Sequence, residues 1–333
     1  MIRKLGVAIA LVAIGGLTLF TGPANATVTP NTWHERAIEA LDKWNALGGW
    51  HSAPATVTPS TSVLSLAYAG IADATLNGWS DPEVTTLLDD VIALRNPDGG
   101  WGVNVATDYF ADGTVNPATT SYTVTMADHV GPFLLGAYQH GLIGVEPLTT
   151  IGSLLVHMPS WSVNGGICLA YSESPNDHVN SGYCVHNVNA AAGLFLTQLA
   201  AAGVSIPGAT SIRAGIVKTE VVAYNGTALN WPYKQAALTA YEDKDHEALN
   251  VEALLTEAPS LGYVPQVNIM LNAFPTDTNS RLAHFRLGST RCSSANQWFG
   301  EFDDWLANPP ASANVRYAQM ARWASRISAV CES

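Results

Sequence analysis

Apolar residues recur three and four positions apart over much of this chain, the spacing of helices that bury one face. Between 33 and 47 the apolar positions are Trp33, Ala37, Ala40, Leu41 and Trp44, with Asn31 or Thr32 placed to cap the start. The stretch 65–77 is rich in Ala and Leu and stops at Asn77-Gly78. The stretch 82–95 opens on Asp81-Pro82, a cap followed by proline in the first turn, and closes at Asn96-Pro97. The same spacing predicts helices over 123–140, 188–203, 212–222, 246–256 and 314–328. Strand-like alternation is scarce, so the fold class is all-α. Three Gly/Pro/Asn-rich stretches, 96–119, 159–185 and 274–297, read as long loops, and loops of that length within a compact domain are usually functional.

The first residues follow a different pattern. Arg3 and Lys4 precede an uncharged apolar run from Leu5 to Phe20, and Ala24-Asn25-Ala26 then offers small residues at the spacing signal peptidase cuts. The run is shorter than the roughly 20 residues of a spanning helix. We therefore expect residues 1–26 to be a cleaved signal peptide, residues 27–333 to form a single domain, and the protein to be secreted, with no membrane attachment after cleavage.

Export changes how the rest is read. Charged residues make up only 13% of the chain and hydrophobic ones 47%, which suits a large core and excludes a disordered chain. The formal charge is −12, and −14 without Arg3 and Lys4, which argues against nucleic acid as a partner because phosphate binding runs on Lys and Arg. Four cysteines remain, Cys168, Cys184, Cys292 and Cys331. An even count in an exported chain points to disulfides, with three connectivities possible; closing the shortest loops favours Cys168–Cys184 and Cys292–Cys331.

A repeat shows in the turns. Gly48-Gly49-Trp50, Gly99-Gly100-Trp101, Gly165-Gly166-Ile167, Leu229-Asn230-Trp231 and Asn296-Gln297-Trp298 recur at intervals of 51, 66, 64 and 67 residues. Such a period holds a helix pair and one generous loop, and stacked helix pairs form a solenoid or close into a ring. The segment Asn96-Pro97-Asp98-Gly99-Gly100-Trp101-Gly102 resembles the turn repeated in the α/α-toroid superfamily of terpenoid cyclases and prenyltransferase β-subunits. Similar turns occur in toroidal polysaccharide lyases such as the family 10 pectate lyases. The resemblance implies an α/α toroid of about five to six helix pairs and speaks to fold more than to function. The chain departs from the first two chemistries: Asp89-Asp90 and Asp303-Asp304 do not make the D-x-D-D of protonating cyclases, and no Asp/Cys/His zinc set is found.

The middle repeats each place a histidine at or near a helix start: His129 after Asp128, His186 after Tyr183, and His246 after Asp245. In a toroid, matching positions converge on one mouth. Asp128, His129, Tyr183, His186, Asp245 and His246 are therefore candidate acid–base residues, since His exchanges protons near neutral pH. Asn189 and Asn250 are candidates for sugar hydroxyls, and Trp50, Trp101, Trp161, Tyr171, Trp231 and Tyr233 for stacking on sugar rings. Arg281 and Arg286 stand in a loop as a candidate carboxylate clamp. The plainer alternative is that these polar residues cap helices and fill the interior. Asp303, Asp304 and Glu301 offer a carboxylate pair for glycoside hydrolysis or simply an acidic helix start.

No resident cofactor is expected, with two weaker metal readings kept open: zinc held by the three histidines, or calcium near Asp108 and Asp112 or at Asp177. No G-x-S-x-G, P-loop or dinucleotide fingerprint occurs. The expected partner is an extracellular glycan. The expected function is cleavage of a polysaccharide by β-elimination or hydrolysis, with a non-catalytic secreted binding or scaffold protein as the alternative.

Overall fold

The computed structural model describes residues 32–47, 59–108, 110, 113–178, 184–223, 244–258, 278–309 and 313–333. The expected leader lies outside these, as do Trp50, Asp112, Tyr183, Trp231 and Tyr233.

The described chain is mostly helical. Thr32 opens helix α1 (Trp33–Ala46) with a reciprocal cap: its hydroxyl accepts from Glu35 N at 3.0 Å, and Thr32 N donates to the Glu35 carboxylate at 3.2 Å. Helix α2 spans Pro59–Asn77. Asp81 caps α3 (Pro82–Ala93), accepting from Glu83 N at 2.8 Å. A π-helical turn, Thr125–Val130, runs into α4 (Gly131–Gln139), and α5 covers Glu146–His157. After a short hairpin come α6 (His186–Ala201), α7 (Ala209–Ala223), α8 (Lys244–Glu257), α9 (Thr278–Leu287), α10 (Phe299–Ala307) and α11 (Ala313–Cys331).

The hairpin pairs β1 (Ser160–Val163) antiparallel to β2 (Gly166–Leu169), Trp161 opposite Cys168. Its two-residue turn is Asn164-Gly165, both at positive φ (54° and 72°), the geometry that suits strand twist and that Asn-Gly tolerates. That Asn-Gly was a legible hairpin signal inside a stretch read as loop. A side chain at Gly166 would stand 2.3 Å from Gly215 O, so the hairpin lies directly on α7.

Helix α2 packs against the π turn and α4; these pack against α6, α6 against α8, α8 against α9, α9 against α11, and α11 against α2. The neighbour-to-neighbour contacts thus return to their start. Helices α1, α3, α5, α7 and α10 pack on the members of this circuit or on one another. Trp33, Trp44, Trp101, Trp323, Phe133, Phe195, Phe285 and Phe302 are fully buried between them. Burying each such side chain contributes about 1.5–3 kcal/mol.

Two expectations need correcting. Within the stretch 274–297 the described residues, from Thr278 on, are not a loop: they carry α9, whose Arg281, His284 and Arg286 interrupt the apolar period that would have revealed it. The turn sites also differ among themselves. Gly165-Gly166 belongs to the hairpin and Asn296-Gln297-Trp298 is one turn of 3-10 helix, whereas Asn96–Gly102 is a true loop turn. In that turn Gly99 sits at φ +90°, Asp98 accepts from Gly100 N at 2.9 Å, and a side chain on Gly102 would collide with Thr120 O. The other two sites lie outside the described residues.

Candidate functional site

Asp128 and His129 stand on the π turn, and the local sequence accounts for the opening of the helix there. Pro132 has no N–H to give to Asp128 O, its i−4 carbonyl. That carbonyl instead accepts from Arg322 Nη1 at 3.1 Å, reaching in from α11. A side chain at Gly131 would stand 2.4 Å from Met126 O and 2.7 Å from the Phe195 ring, so glycine lets the turn close against α6. Single π turns inside α-helices frequently mark functional sites.

The π turn forms one wall of a cavity of about 250 Å³. Every member of the helix circuit except α4 contributes to its lining. Tyr68 comes from α2, Asp128 and His129 from the π turn, Asn187 from α6, Asp245 and His246 from α8, Arg286 from α9 and Gln319 from α11. Tyr171, from the loop after β2, completes the polar rim.

Beneath the cavity runs an ion-pair network. Arg286 binds Asp128 through one Nη and Glu252 through Nε at 2.9 Å, and Arg326 binds the other Glu252 oxygen. Tyr68 Oη donates to Asp128 Oδ2 at 3.0 Å, and the Arg322 guanidinium lies over the Tyr68 and Trp323 rings. Burial alone would raise the Asp128 pKa, but Arg286 and Arg322 outweigh it and hold the carboxyl well below the usual range. Burial likewise opposes Glu252, and Arg326 and Arg286 prevail there too. Burial pushes the Tyr68 phenol far up, and Asp128 adds to this, so Tyr68 stays protonated near neutral pH and serves as a hydrogen-bond donor to Asp128. Burial pushes His129 down to about 4 against the pull of Asp128, 3.8 Å away, and Arg322 and Arg286 add to the drop. His129 is therefore neutral at pH 7.

No protein-family model, curated protein or solved structure matches this chain. The site has to be read from its own geometry.

Of the expected site residues, Asp128, His129, Asp245, His246 and Arg286 come together at the cavity. His186 does not. Its fully buried ring faces α7, where Nδ1 meets both Glu220 oxygens at 3.1 and 2.9 Å. Asn189 is also turned outward: Nδ2 donates to Glu220 Oε1 at 2.8 Å and to Ile167 O, and Oδ1 accepts from Leu169 N. The three histidines therefore do not meet, and zinc held by all three is excluded. Asn250 is buried on α8 away from the cavity lining.

Trp101 is fully buried, with Nε1 donating to Val91 O at 2.7 Å, so it closes α3 rather than offering a face to a sugar. Arg281 pairs with Asp304 at 3.0 Å over the Trp305 ring, and Arg286 is spent on two carboxylates, so the pair forms no carboxylate clamp. Asp303 is held by Arg36 at 2.7 Å, which leaves the acidic start of α10 structural. At the calcium candidates, Asp108 accepts from Gly113 N, and Asp177 accepts from Asn116 Nδ2 and Ser172 Oγ.

Both disulfides form as expected. Cys168–Cys184 ties β2 to the start of α6, and Cys292–Cys331 ties the turn before α10 to the end of α11.

Sequence reasoning missed Tyr68, Asn187, Glu252, Arg322 and Arg326. Tyr68 and Arg322 sit inside helices with no turn or loop to draw attention. A signal for the arginines existed: basic residues are few in this chain, and five of them, Arg281, Arg286, Arg316, Arg322 and Arg326, fall in just two helices.

Proposed function

We propose that this protein is an exported α/α toroid that takes a sugar unit of an extracellular glycan into its central cavity and cleaves a glycosidic bond there. The observation that carries this reading is the cavity itself, a polar pocket lined by α2, the π turn, α6, α8, α9 and α11. The circuit α2–α4–α6–α8–α9–α11, with further helices packed outside it, is what a toroid of helix pairs requires. Two disulfides suit an oxidising compartment, and among the described residues no helix is long and apolar enough to cross a membrane. A volume of about 250 Å³ falls just under the range for drug-sized ligands and suits one ring of a sugar chain.

Within this reading, hydrolysis is favoured over β-elimination. Elimination from a uronic acid needs a cation on the substrate carboxylate and a base at neutral pH. Tyr68 is held protonated and a neutral histidine such as His129 remains as a base, but Arg286 is consumed by Asp128 and Glu252, so the cation for the carboxylate is what is missing. Hydrolysis asks for a fixed negative charge beside the developing oxocarbenium ion and a proton donor at the leaving oxygen. Our candidate for the first is Asp128, kept ionised, and for the second Asp245 or His246, which also line the cavity.

The alternative, a secreted protein that binds without catalysis, draws on one observation: Asp128, Arg286, Glu252 and Arg326 satisfy one another without a ligand. A panel of neutral and uronic polysaccharides separates the readings. New reducing ends without ultraviolet absorbance are expected. Absorbance from unsaturated ends would establish elimination, and binding without either product would establish the alternative.

A further inference from the structure

We propose that reduction of the Cys168–Cys184 disulfide opens a buried zinc site made of Cys168, Cys184, His186 and Glu220. This site lies outside the cavity, between the hairpin, α6 and α7, and does not depend on the glycan reading.

The ligand atoms of Cys184, His186 and Glu220 all lie within 4.8 Å of one another, and all three residues are buried. A tetrahedral zinc with Zn–S of about 2.3 Å and Zn–N or Zn–O of about 2.0–2.2 Å sets its ligand atoms roughly 3.3–3.8 Å apart. The widest separations in the cluster thus need to contract by at most about 1.5 Å, while His186 and Glu220, already at 2.9 Å, have to part slightly. The fourth ligand arrives with the third. Cys168 is bonded to Cys184 at 2.02 Å with its Cα 5.7 Å away; its sulfur lies outside the cluster in the oxidised chain, so once the bond is broken its side chain has to turn towards His186 and Glu220 to complete the set.

The surroundings are those of a supported metal site. Asn189 donates to Glu220 Oε1 at 2.8 Å and is itself anchored on both sides to the β2 backbone, through Ile167 O and Leu169 N. Outer partners of this kind orient a ligating carboxylate. Two thiolates, an imidazole and one carboxylate favour zinc over calcium or magnesium, which take oxygen ligands.

The chemistry balances with a thiol reductant as the co-reactant. Two thiols reduce the disulfide, becoming oxidised to one disulfide themselves and giving two cysteine thiols. Zinc then displaces the two thiol protons and binds both sulfurs. In the oxidised protein the sulfurs are bonded to each other and cannot ligate. The same four residues therefore join the hairpin to α6 covalently when oxidised and through the metal when reduced.

The test uses the full folded chain treated with a phosphine reductant without oxygen, then given zinc, desalted and assayed for metal. One zinc per reduced chain is expected, and none in the oxidised protein. Cobalt in place of zinc should give a thiolate-to-metal charge-transfer band only after reduction. Alkylation of the zinc-loaded reduced chain, mapped by mass spectrometry, should spare Cys168 and Cys184 while Cys292 and Cys331 react. His186→Ala and Glu220→Gln should each weaken uptake at least tenfold. Failure to take up zinc, including by unfolding on reduction, would overturn the proposal. So would equal uptake by oxidised protein, protection of Cys292 and Cys331 instead, or unchanged affinity in both variants.

Discussion

His129 and His186 begin from the same local signal, a histidine near the start of a helix that follows a long loop, and end in opposite surroundings. His129 is partly exposed to the central cavity and stays neutral among Asp128, Arg286 and Arg322. His186 is fully enclosed against α7 and paired to Glu220, with no access to the cavity. The difference is one of helix face. Successive residues point about 100° apart around a helix, so Asn187 lines the cavity while its neighbour His186 points away from it. A recurring histidine marks a recurring position along the chain, not a recurring direction.

The two regions should respond differently when broken. The largest effect is expected from Arg286→Met beneath the cavity. It takes from Asp128 and Glu252 the guanidinium they share, leaving Arg322 and Arg326 as their remaining cations, and removing one partner of a buried pair costs about 3–5 kcal/mol. Urea unfolding measures this, and a loss under about 1 kcal/mol would show that water reaches the network and screens it. In the outer region, replacing Cys168 and Cys184 together by serine should cost about 3 kcal/mol, the value for closing a loop of this size, in an assay without added zinc.

The next pair of variants sharpens the contrast. His246→Ala should lower turnover on the responsive glycan about 100-fold, the scale of a lost acid or base, with little change in stability. His186→Ala should do the reverse, leaving Glu220 buried without its imidazole and lowering stability while turnover holds. Matched losses of turnover in both variants would dissolve the distinction between the two histidines.

The smallest net effect concerns pH. His129 has a folded pKa of about 4, below its ordinary value of 6.5, so its share of stability is present above pH 6.5 and lost as pH falls towards 4. Glu257, between α6 and α8, is pushed by burial up to about 7 from an ordinary 4.5. Its share is present below pH 4.5 and lost as pH rises through 7. The two slopes oppose each other between about pH 4.5 and 6.5. In thermal melts across this range, His129→Gln should remove the acid-side loss and Glu257→Gln the loss towards neutrality. Identical profiles for wild type and Glu257→Gln would mean that the Glu257 carboxyl ionises as it does in water.

Much of the helical skeleton was legible because it rests on local physics. Asp81-Pro82 can start a helix wherever it stands, and the apolar spacing of α1 demands a partner surface. Helix α9 was illegible for the opposite reason. Its Arg286 is stable in the interior only because Asp128 and Glu252, far away in sequence, meet it there. The hairpin was readable in principle from Asn164-Gly165, and the missed signal lay in treating that stretch as a repeat site instead of a two-residue turn.

By itself the sequence determined most of the segments that coil and where Asp81 and the glycine turns start or stop them, since each depends on a short run of residues and its backbone preferences; for the cysteines it favoured the shortest loops among three connectivities. Only the tertiary structure decided that Asp128, His129, Asp245, His246 and Arg286 share a cavity while His186 and Asn189 turn away, and that Trp101 closes a helix end instead of facing a ligand. Those outcomes depend on the rotation of each helix about its own axis, which is set by the packing of α2, α6, α8, α9 and α11 together, and no local pattern records that angle.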